Sequence, residues 1–557
     1  MSQNTPLKRS HGEVRLSDTD LPGRAEQVRR RAAELAVGLS QAARKSATIA
    51  QERAVLRMLG VDGLDRSGLP LAASLAERYC GSDPGRLARG VILPFVVATL
   101  EYDMPPRDVA LDVASGAIDL GLEAELLERP DRLAAAQRRA AELLDSALER
   151  FDANRTATRE MRDVLGLPDE PWLGAVLQAT EVGEAAAEIR AMVGGGADLI
   201  QVRVPASWEF AEARRQAGLE TPGLYEFEPQ QKGRGARRGD RRGHSRPARL
   251  PDQPVPAGSQ RGLALLRRAA DEAAAQRRCY ASLMTVTSAF AAPEQAVVAA
   301  FERVDFVGAD PIREIVDDNL DPERALADHA FAHRLQARAG CRVVIGPGPL
   351  AIGADMASGI PSDAATRAGR ALALQALGVE LALADGLPAD RLRLGAVPDW
   401  AVGDGDAGSI LIQAWLRRVV FSDVRLVLGG PTGWSTSTGG AMALVTALAG
   451  AAASLVVETG VPGNMATAAA DLAAASTTAR ALRATLNDGD LHGDGADLAG
   501  RMLAAAVTTL ERLSGEGWGS LLGQAGREED GERLGRSAVV ERAVGPGTGA
   551  SLLKDLV

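Results

Sequence analysis

Apolar residues recur at helical spacing through the first third of the chain. Val28, Ala32, Leu35 and Leu39 lie three or four residues apart, which places them on one face of an α-helix. The same spacing predicts further helices over residues 49–59, 87–100, 105–114 and 132–150. We therefore expect residues 24–165 to form an all-helical accessory domain of about five or six helices. Residues 1–23 are polar and lack periodicity, so they are expected to be a disordered leader.

The pattern changes at Trp172. From there, short apolar runs rich in β-branched residues alternate with amphipathic, alanine-rich stretches. Eight strands are predicted, over residues 174–180, 198–204, 280–288, 304–310, 342–346, 392–397, 424–429 and 454–459. The helices predicted to follow them in turn cover residues 184–193, 262–277, 293–301, 322–339, 364–384, 407–420, 439–449 and 464–486.

This alternation predicts a parallel sheet, because parallel neighbours need a crossover connection that is usually helical. Eight strand–helix units within residues 171–486 fit the size of a closed (β/α)8 TIM barrel. Periodicity does not show closure, so an open doubly wound sheet remains an alternative. The predicted fold class is α/β: a TIM barrel with an all-helical N-terminal domain and a short helical C-terminal extension.

Two segments interrupt the pattern. Residues 229–260 are rich in Arg, Gly and Pro and hold almost no apolar side chains, so we expect a disordered insertion after the second strand. Its basic run could attract phosphate or nucleic acid, and a solvated loop is the more ordinary interpretation. Residues 487–557 are expected to contain one helix, at 496–513, and a flexible tail.

Composition narrows the class of protein. The net charge of −10 disfavours a nucleic-acid footprint spread over the surface, and no apolar run reaches the ~18 residues that span a bilayer. The first residues hold no stretch of the signal-peptide kind. Three scattered cysteines, Cys80, Cys279 and Cys341, suit a reducing compartment better than a disulfide framework or a structural zinc site. We expect a soluble, cytoplasmic protein that binds neither membrane nor nucleic acid.

Several collinear stretches resemble a known family. Residues 51–65 read QERAVLRMLGVDGLD and are similar to a stretch of the large (alpha) subunits of lysine 5,6-aminomutases. Further similar stretches are, in order, GGGADLIQVR at 194–203, Thr287-Ser288 with Pro293-Glu294, FERVD at 301–305, ADGLP at 384–388 with Leu394-Gly395, and Gly430-Pro-Thr432. The resemblance covers most of residues 24–513. No single stretch identifies the family, but all of them occur in the same order as in the family.

The resemblance implies an alpha subunit that supplies a TIM barrel. In that family a smaller beta subunit carries a cobalamin-ligating histidine and the lysine that holds pyridoxal 5′-phosphate as a Schiff base. The two subunits together shift the terminal amino group of lysine or β-lysine by one carbon, using adenosylcobalamin. The barrel mouth would cover the cobalamin and shield its 5′-deoxyadenosyl radical from water. The implied partners are this beta subunit and a small amino-acid substrate.

The same resemblance assigns four site residues, all at the carboxyl ends of predicted strands, where TIM barrels place their chemistry. Arg203 matches an arginine that contacts the cofactor phosphate, although it could instead face solvent and pair with Glu209. Ser288 matches a serine near the cofactor, and a serine bonded to backbone is as ordinary a role. Glu458 matches a glutamate that faces the substrate amine, a catalytic position. Thr432 is assigned to cofactor binding.

Other positions depart from the family pattern. Arg313 stands where the family has a tyrosine that stacks on the cofactor ring, and Gly433 replaces a lysine. An aspartate expected within residues 346–350 is missing, as is the histidine expected within residues 395–399. The family's TTGQS stretch has become VPASW at residues 204–208. These changes concern contacts to cofactor and substrate rather than the scaffold.

Two histidine patterns are weaker candidates. Residues 490–495, DLHGDG, match the short cobalamin-ligating signature, but about 60 residues remain, too few for a cobalamin domain, so we interpret them as a turn. His329 and His333 are one helical turn apart and could both bind a metal. With no third ligand evident, we expect them on the outer surface of a helix.

Three functions therefore compete at the level of sequence. The first is the alpha subunit of an adenosylcobalamin- and pyridoxal-phosphate-dependent aminomutase acting on lysine, β-lysine or a related diamino acid. The second is a catalytically degenerate paralogue that keeps the scaffold and binds a cobalamin-binding beta subunit. The third is an unrelated barrel enzyme that binds phosphate after the seventh strand, through residues 429–432.

Overall fold

The fold is known from a computed structural model. It describes residues 21–65, 70–81, 83–169, 172–177, 179, 181–202, 260–287, 291–316, 320–346, 364–396, 407–429, 453–456 and 494–518. In that part of the chain no helix is long and apolar enough to cross a membrane.

The N-terminal region is helical, as its periodicity predicted, but its described residues form eight helices instead of five or six. Its helices are α1 (Leu21–Ala43), α2 (Ile49–Met58), α3 (Leu71–Cys80), α4 (Pro84–Arg89), α5 (Ile92–Glu101), α6 (Pro106–Ser115), α7 (Leu120–Leu126) and α8 (Pro130–Leu165). The single helix predicted over 87–100 is two helices. Gly90 separates them, because its φ of 77° lies in a region that non-glycine residues rarely adopt and ends α4.

Eight parallel strands follow and close into a barrel in sequence order. They are β1 (Trp172–Leu177), β2 (Leu199–Val202), β3 (Ser282–Val286), β4 (Phe306–Gly308), β5 (Arg342–Ile345), β6 (Leu392–Ala396), β7 (Arg425–Gly429) and β8 (Ala453–Val456). β8 pairs with β1, with Trp172 opposite Ala453, so the sheet has no edge. The predicted TIM barrel is confirmed, and the open sheet is excluded.

The helices between the strands form the outer layer of the barrel. They are α9 (Val182–Gly194), α10 (Gln260–Arg277), α11 (Ala292–Phe301), α12 (Pro311–Val316), α13 (Pro322–Ala339), α14 (Ala364–Ala384) and α15 (Ala407–Val420). After the barrel comes α16 (Asp494–Glu516), which packs against α1 and α14. The predicted helices at 439–449 and 464–486 lie outside the described residues. So does the predicted insertion at 229–260, except for Gln260, which begins α10.

Alternation along the strands separates an inner from an outer face of the barrel. Leu199, Met284, Phe306 and Val344 pack with Trp172 in the interior. Their sequence neighbours, such as Ile200 and Leu283, face the surrounding helices and join a second apolar cluster. The interior is therefore filled with side chains, and the open space of this fold lies at the ends of the strands.

The QERAVLR stretch docks α2 onto the barrel. Arg53 and Arg57 are buried, and their Nε atoms lie 2.9 and 3.3 Å from the carboxylate of Glu294 in α11. Glu52 accepts a hydrogen bond of 2.8 Å from the backbone N–H of Val91, and Gln51 donates one of 2.8 Å to the carbonyl of Ala327 in α13. Each charged side chain of this motif thus has a partner inside the protein, which assigns the motif a scaffold role.

Other resembling stretches also hold buried structural carboxylates. Asp305 accepts hydrogen bonds from Arg162, Arg267, Tyr280 and the backbone N–H of Leu283. In the same way Asp198 pairs with Arg277, and Asp385 bonds Ser40 of α1 and His333 of α13. Most of the described residues that resemble the family therefore make contacts that hold the barrel and its helices together.

Candidate active site

Three short polar segments meet at the carboxyl ends of neighbouring strands. Thr287 follows β3, Asp310 follows β4 and Gly346 follows β5. Because β3, β4 and β5 are adjacent and parallel, these residues lie on the same end of the barrel. It is the end at which TIM-barrel enzymes place their active sites.

Asp310 joins two of these segments. One carboxylate oxygen accepts hydrogen bonds from the backbone N–H groups of Ile312 and Arg313, at 3.0 and 3.3 Å, and so caps α12. The other oxygen accepts a bond of 3.1 Å from the N–H of Gly346. Burial raises the pKa of Asp310, and the positive charge of Arg313 opposes that rise. Asp310 therefore fixes the ends of β4 and β5 relative to each other.

Gly346 extends these contacts towards β6. We call the hydrogen-bonded set Asp310, Gly346, Gln375 and Arg417 the polar belt. Its φ is 115°, and a Cβ there would collide with the side-chain amide of Gln375 and the carbonyl oxygen of Gly395. Gln375 donates a hydrogen bond of 2.7 Å to that carbonyl and accepts one of 2.8 Å from Nε of Arg417. The belt therefore links β4, β5 and β6 to α14 and α15, and it needs a glycine at position 346.

Glu314 and His329 form a buried pair behind the mouth. The Nε2 atom of His329 lies 3.2 Å from Oε1 of Glu314, and both side chains are at most 1% exposed. Thr287 donates a hydrogen bond of 3.3 Å to the same carboxylate oxygen. The other oxygen, Oε2, is buried and has no hydrogen-bond partner among the described residues.

The two partners shift each other's pKa. Burial acts to lower the pKa of His329, but the charge and hydrogen bond of Glu314, together with the charges of Asp310 and Asp328, outweigh that effect, so the net shift is upward. Burial likewise acts to raise the pKa of Glu314, but His329, Arg313 and Thr287 together outweigh it, so the net shift is downward. Each partner therefore favours the charged form of the other.

The available atoms at this end suit an amine better than a phosphate. Glu314 Oε2 and Oε1 of Gln201, on the inner face of β2, are buried oxygens without partners among the described residues, and such atoms accept from N–H groups. A phosphate needs donors instead. Two guanidinium groups lie here: Arg417 donates to Gln375, and Arg313 is half-buried at the start of α12.

The structure tests none of the four assigned site residues. Arg203, Ser288, Thr432 and Glu458 are all outside the described residues, so their roles stay predictions. The same holds for Gly433, for residues 347–350 and 397–399, and for the DLHGDG motif except its last two residues.

The expectation for His329 and His333 was wrong. Both lie on α13, as predicted, but they are 1% and 0% exposed. The N-terminal helices α1, α2 and α8 pack over α13, so a helix of the outer ring is covered instead of facing water. Within the described ranges no group of three or more His, Cys, Asp or Glu side chains could hold a metal ion.

Sequence reasoning also missed Glu314 and Gln375. Glu314 follows an Asp-Pro pair that starts a helix directly after a strand, which is a recognisable signal for the carboxyl end of a barrel. Gln375 gives no such signal, because it sits in the middle of an alanine-rich helix and its partners come from other elements.

Comparison with known proteins gives a consistent picture. The model of one family, described as the D-lysine 5,6-aminomutase TIM-barrel domain of alpha subunit, matches residues 21–207 and 257–460. The chain is 23% identical over 416 residues to the lysine 5,6-aminomutase alpha subunit of Fusobacterium nucleatum subsp. nucleatum, covering 74% of this chain and 72% of that protein. It is 24% identical over 413 residues to that of Acetoanaerobium sticklandii, covering 74% and 71%.

Solved structures give weaker matches. The octameric ribulose-1,5-bisphosphate carboxylase/oxygenase of Pyrococcus horikoshii OT3 matches 64% of this chain and 68% of its own, at 14% identity and a TM-score of 0.35.

Proposed function

Because this chain belongs to the family of the lysine 5,6-aminomutase alpha-subunit TIM barrel, we propose that it is the barrel subunit of an aminomutase. It would move an amino group between adjacent carbons of lysine, β-lysine or a related diamino acid by a radical mechanism. The observation that carries the proposal is the extent of the family match, which runs through both the helical region and the barrel. We propose the cytoplasm as its location.

In this proposal the cofactors are shared with a smaller, cobalamin-binding beta subunit. Adenosylcobalamin would supply the radical chemistry and pyridoxal 5′-phosphate the group that carries the migrating amine. Arg203, Ser288 and Thr432 would bind the phosphate of the latter through charge-assisted hydrogen bonds. Glu458 would bind the substrate ammonium group.

The described residues would serve this chemistry by holding the mouth rigid. The belt from Asp310 through Gly346 to Gln375 keeps the ends of three strands in a fixed arrangement, as a site that must align two cofactors requires. The Glu314–His329 pair places a fixed charge distribution behind β4. The polar belt and the Glu314–His329 pair both exclude water, because all of their side chains are buried.

Reconstitution tests the proposal. The chain would be co-expressed with a small cobalamin-binding subunit and purified with both cofactors. Lysine, β-lysine and ornithine would then be offered as substrates. We expect a stable complex, absorbance of both cofactors in it, and turnover of one of these amino acids. The variant Glu458→Gln should keep the complex and lose turnover.

One observation favours a second candidate, the catalytically degenerate scaffold. Arg313 occupies the family's tyrosine position, and a guanidinium cannot reproduce the apolar stacking of a phenol ring in the same way. A complex that binds cobalamin but turns over none of the three amino acids would support this candidate. The absence of any complex would contradict both.

A further inference from the structure

A cavity of about 210 Å³ opens at the other end of the barrel, below the amino ends of β4, β5 and β6. It lies between these strands and the last turns of α8. On β5, Arg342 lines the cavity while Gly346 belongs to the polar belt at the mouth. Gly346 comes four positions after Arg342, which is roughly 13 Å along the strand direction. The cavity is therefore distinct from the candidate active site.

Arginine dominates the cavity wall. Six arginines face two aspartates, Asp163 and Asp305, a formal excess of four positive charges. The arginines are Arg155, Arg159, Arg162, Arg303, Arg342 and Arg391. Such an excess in a concave, partly buried space favours a bound anion.

Several of the guanidinium groups lack acceptors. Arg342 Nη1 and Arg162 Nε are buried and have no hydrogen-bond partner among the described residues. Arg159 makes neither a hydrogen bond nor an ion pair within the same part of the chain. Burial lowers the pKa of Arg342 to about 10, and the charges of Arg162 and Arg393 add to that effect. The wall therefore offers N–H groups without acceptors, and among the described residues Arg159 and Arg342 form no ion pair with a carboxylate.

The remaining arginines are held in place by the protein. Arg303 donates hydrogen bonds to Thr158 and Asp271, and Arg391 donates one of 2.7 Å to the carbonyl of Gly340. Arg303 also has a φ of 56°, a conformation that costs energy for a residue with a side chain. These arrangements fix the donors before a ligand arrives, which lowers the entropy lost on binding.

We propose that this cavity binds the phosphate or pyrophosphate group of a small phosphorylated molecule. Planar guanidinium groups recognise phosphate oxygens through paired hydrogen bonds. The volume is smaller than the roughly 300–1,000 Å³ of pockets that enclose whole drug-sized ligands, so the cavity takes the phosphate end and leaves the rest outside. This site is separate from the candidate active site at the mouth. Binding of the phosphate group there would affect the stability or assembly of the subunit.

Calorimetric titration of the full chain with inorganic pyrophosphate at low salt tests this assignment. Saturable binding is expected, weakening as the salt concentration rises. Arg342→Met keeps an unbranched apolar side chain but removes the guanidinium group that lies over the Phe306 ring, and Arg159→Gln is an exposed change that leaves the fold intact. Each should weaken binding about tenfold or more.

Arg139→Gln is the matched control. It removes an arginine from the same helix twenty residues earlier, about 30 Å from Arg159, and should leave the dissociation constant unchanged. Absence of saturable pyrophosphate binding by the wild type would overturn the proposal. So would wild-type affinity in both Arg342→Met and Arg159→Gln, or equal weakening by Arg139→Gln.

Discussion

The imidazole of His329 lies 3.2 Å from the carboxylate of Glu314, and neither side chain has meaningful exposure to water. The two residues come from consecutive helices, α12 and α13, which the chain places behind the end of β4. In a buried pair of this kind each partner offsets the cost of burying the other's charge only while both are charged. Its behaviour with pH follows from the directions of the two shifts.

Removal of the Glu314 carboxylate should lower the pKa of His329. In Glu314→Gln burial still lowers the histidine pKa but the main opposing charge is gone, so the pKa should fall below the ordinary value of 6.5. NMR titration of protein labelled at histidine Cε1 would show it, with His329→Gln identifying the signal. A His329 that titrates above 6.5 in Glu314→Gln would contradict the pairing.

The pair should stabilise the protein most in mildly acidic solution. His329, whose folded pKa is raised, contributes fully below 6.5 and loses its contribution as the pH rises through the folded pKa. Glu314, whose folded pKa is lowered, contributes fully above 4.5 and loses its contribution as the pH falls through the folded pKa. The melting temperature of the wild type should therefore exceed that of His329→Gln most between about pH 4.5 and 6.5.

A methyl group at position 346 should disrupt the mouth. Gly346→Ala combines the strain of φ 115° with a collision against Gln375 and the Gly395 carbonyl. The left-handed strain costs about 1–2 kcal/mol, and the collision adds to it. Gly196→Ala is the control, because its φ of 112° is nearly the same and nothing lies within 4 Å of the new Cβ. The melting temperature of Gly346→Ala should be clearly the lower; equal losses would show that the belt is unimportant.

Neutralising Glu294 should loosen the helical region from the barrel. Glu294→Gln leaves the buried guanidinium groups of Arg53 and Arg57 without their carboxylate, a change that typically costs about 3–5 kcal/mol. Hydrogen exchange of α2 should accelerate accordingly. Glu142→Gln, which breaks an exposed pair with Arg139, should leave exchange in α2 as in the wild type. Unchanged exchange in Glu294→Gln would contradict the docking role.

The thiols should differ in reactivity. Burial raises the pKa of Cys80 and of Cys341 to about 12, so neither forms thiolate at pH 8, whereas Cys279 is half-buried. A disulfide reagent should therefore label Cys279 first in the native protein and all three after denaturation. Rapid native labelling of Cys341 would show that the bottom of the barrel opens readily, because its Sγ donates to the carbonyl of Val304 there.

The sequence by itself determined the order and type of the eight strands and of most of the described helices, but not the number of N-terminal helices. Strands such as 342–345 and helices such as Ala364–Ala384 and Ala407–Val420 follow from local periodicity, which needs no knowledge of neighbours. The same information showed the family likeness. It could not show that most of that likeness in the described residues is structural, because the partners of Arg53, Asp305 and Asp385 lie far away in the chain.

Tertiary structure decided closure, burial and the charge environments. Closure depends on the pairing of β8 with β1, two segments about 280 residues apart, which no local pattern encodes. The burial of His329 depends on helices that arrive from the N-terminal region to cover α13. The arginine cavity likewise joins α8, β4, β5 and β6. In each case the physical reason is the same: a side chain's environment is set by elements distant in sequence, while its secondary structure is set by its neighbours.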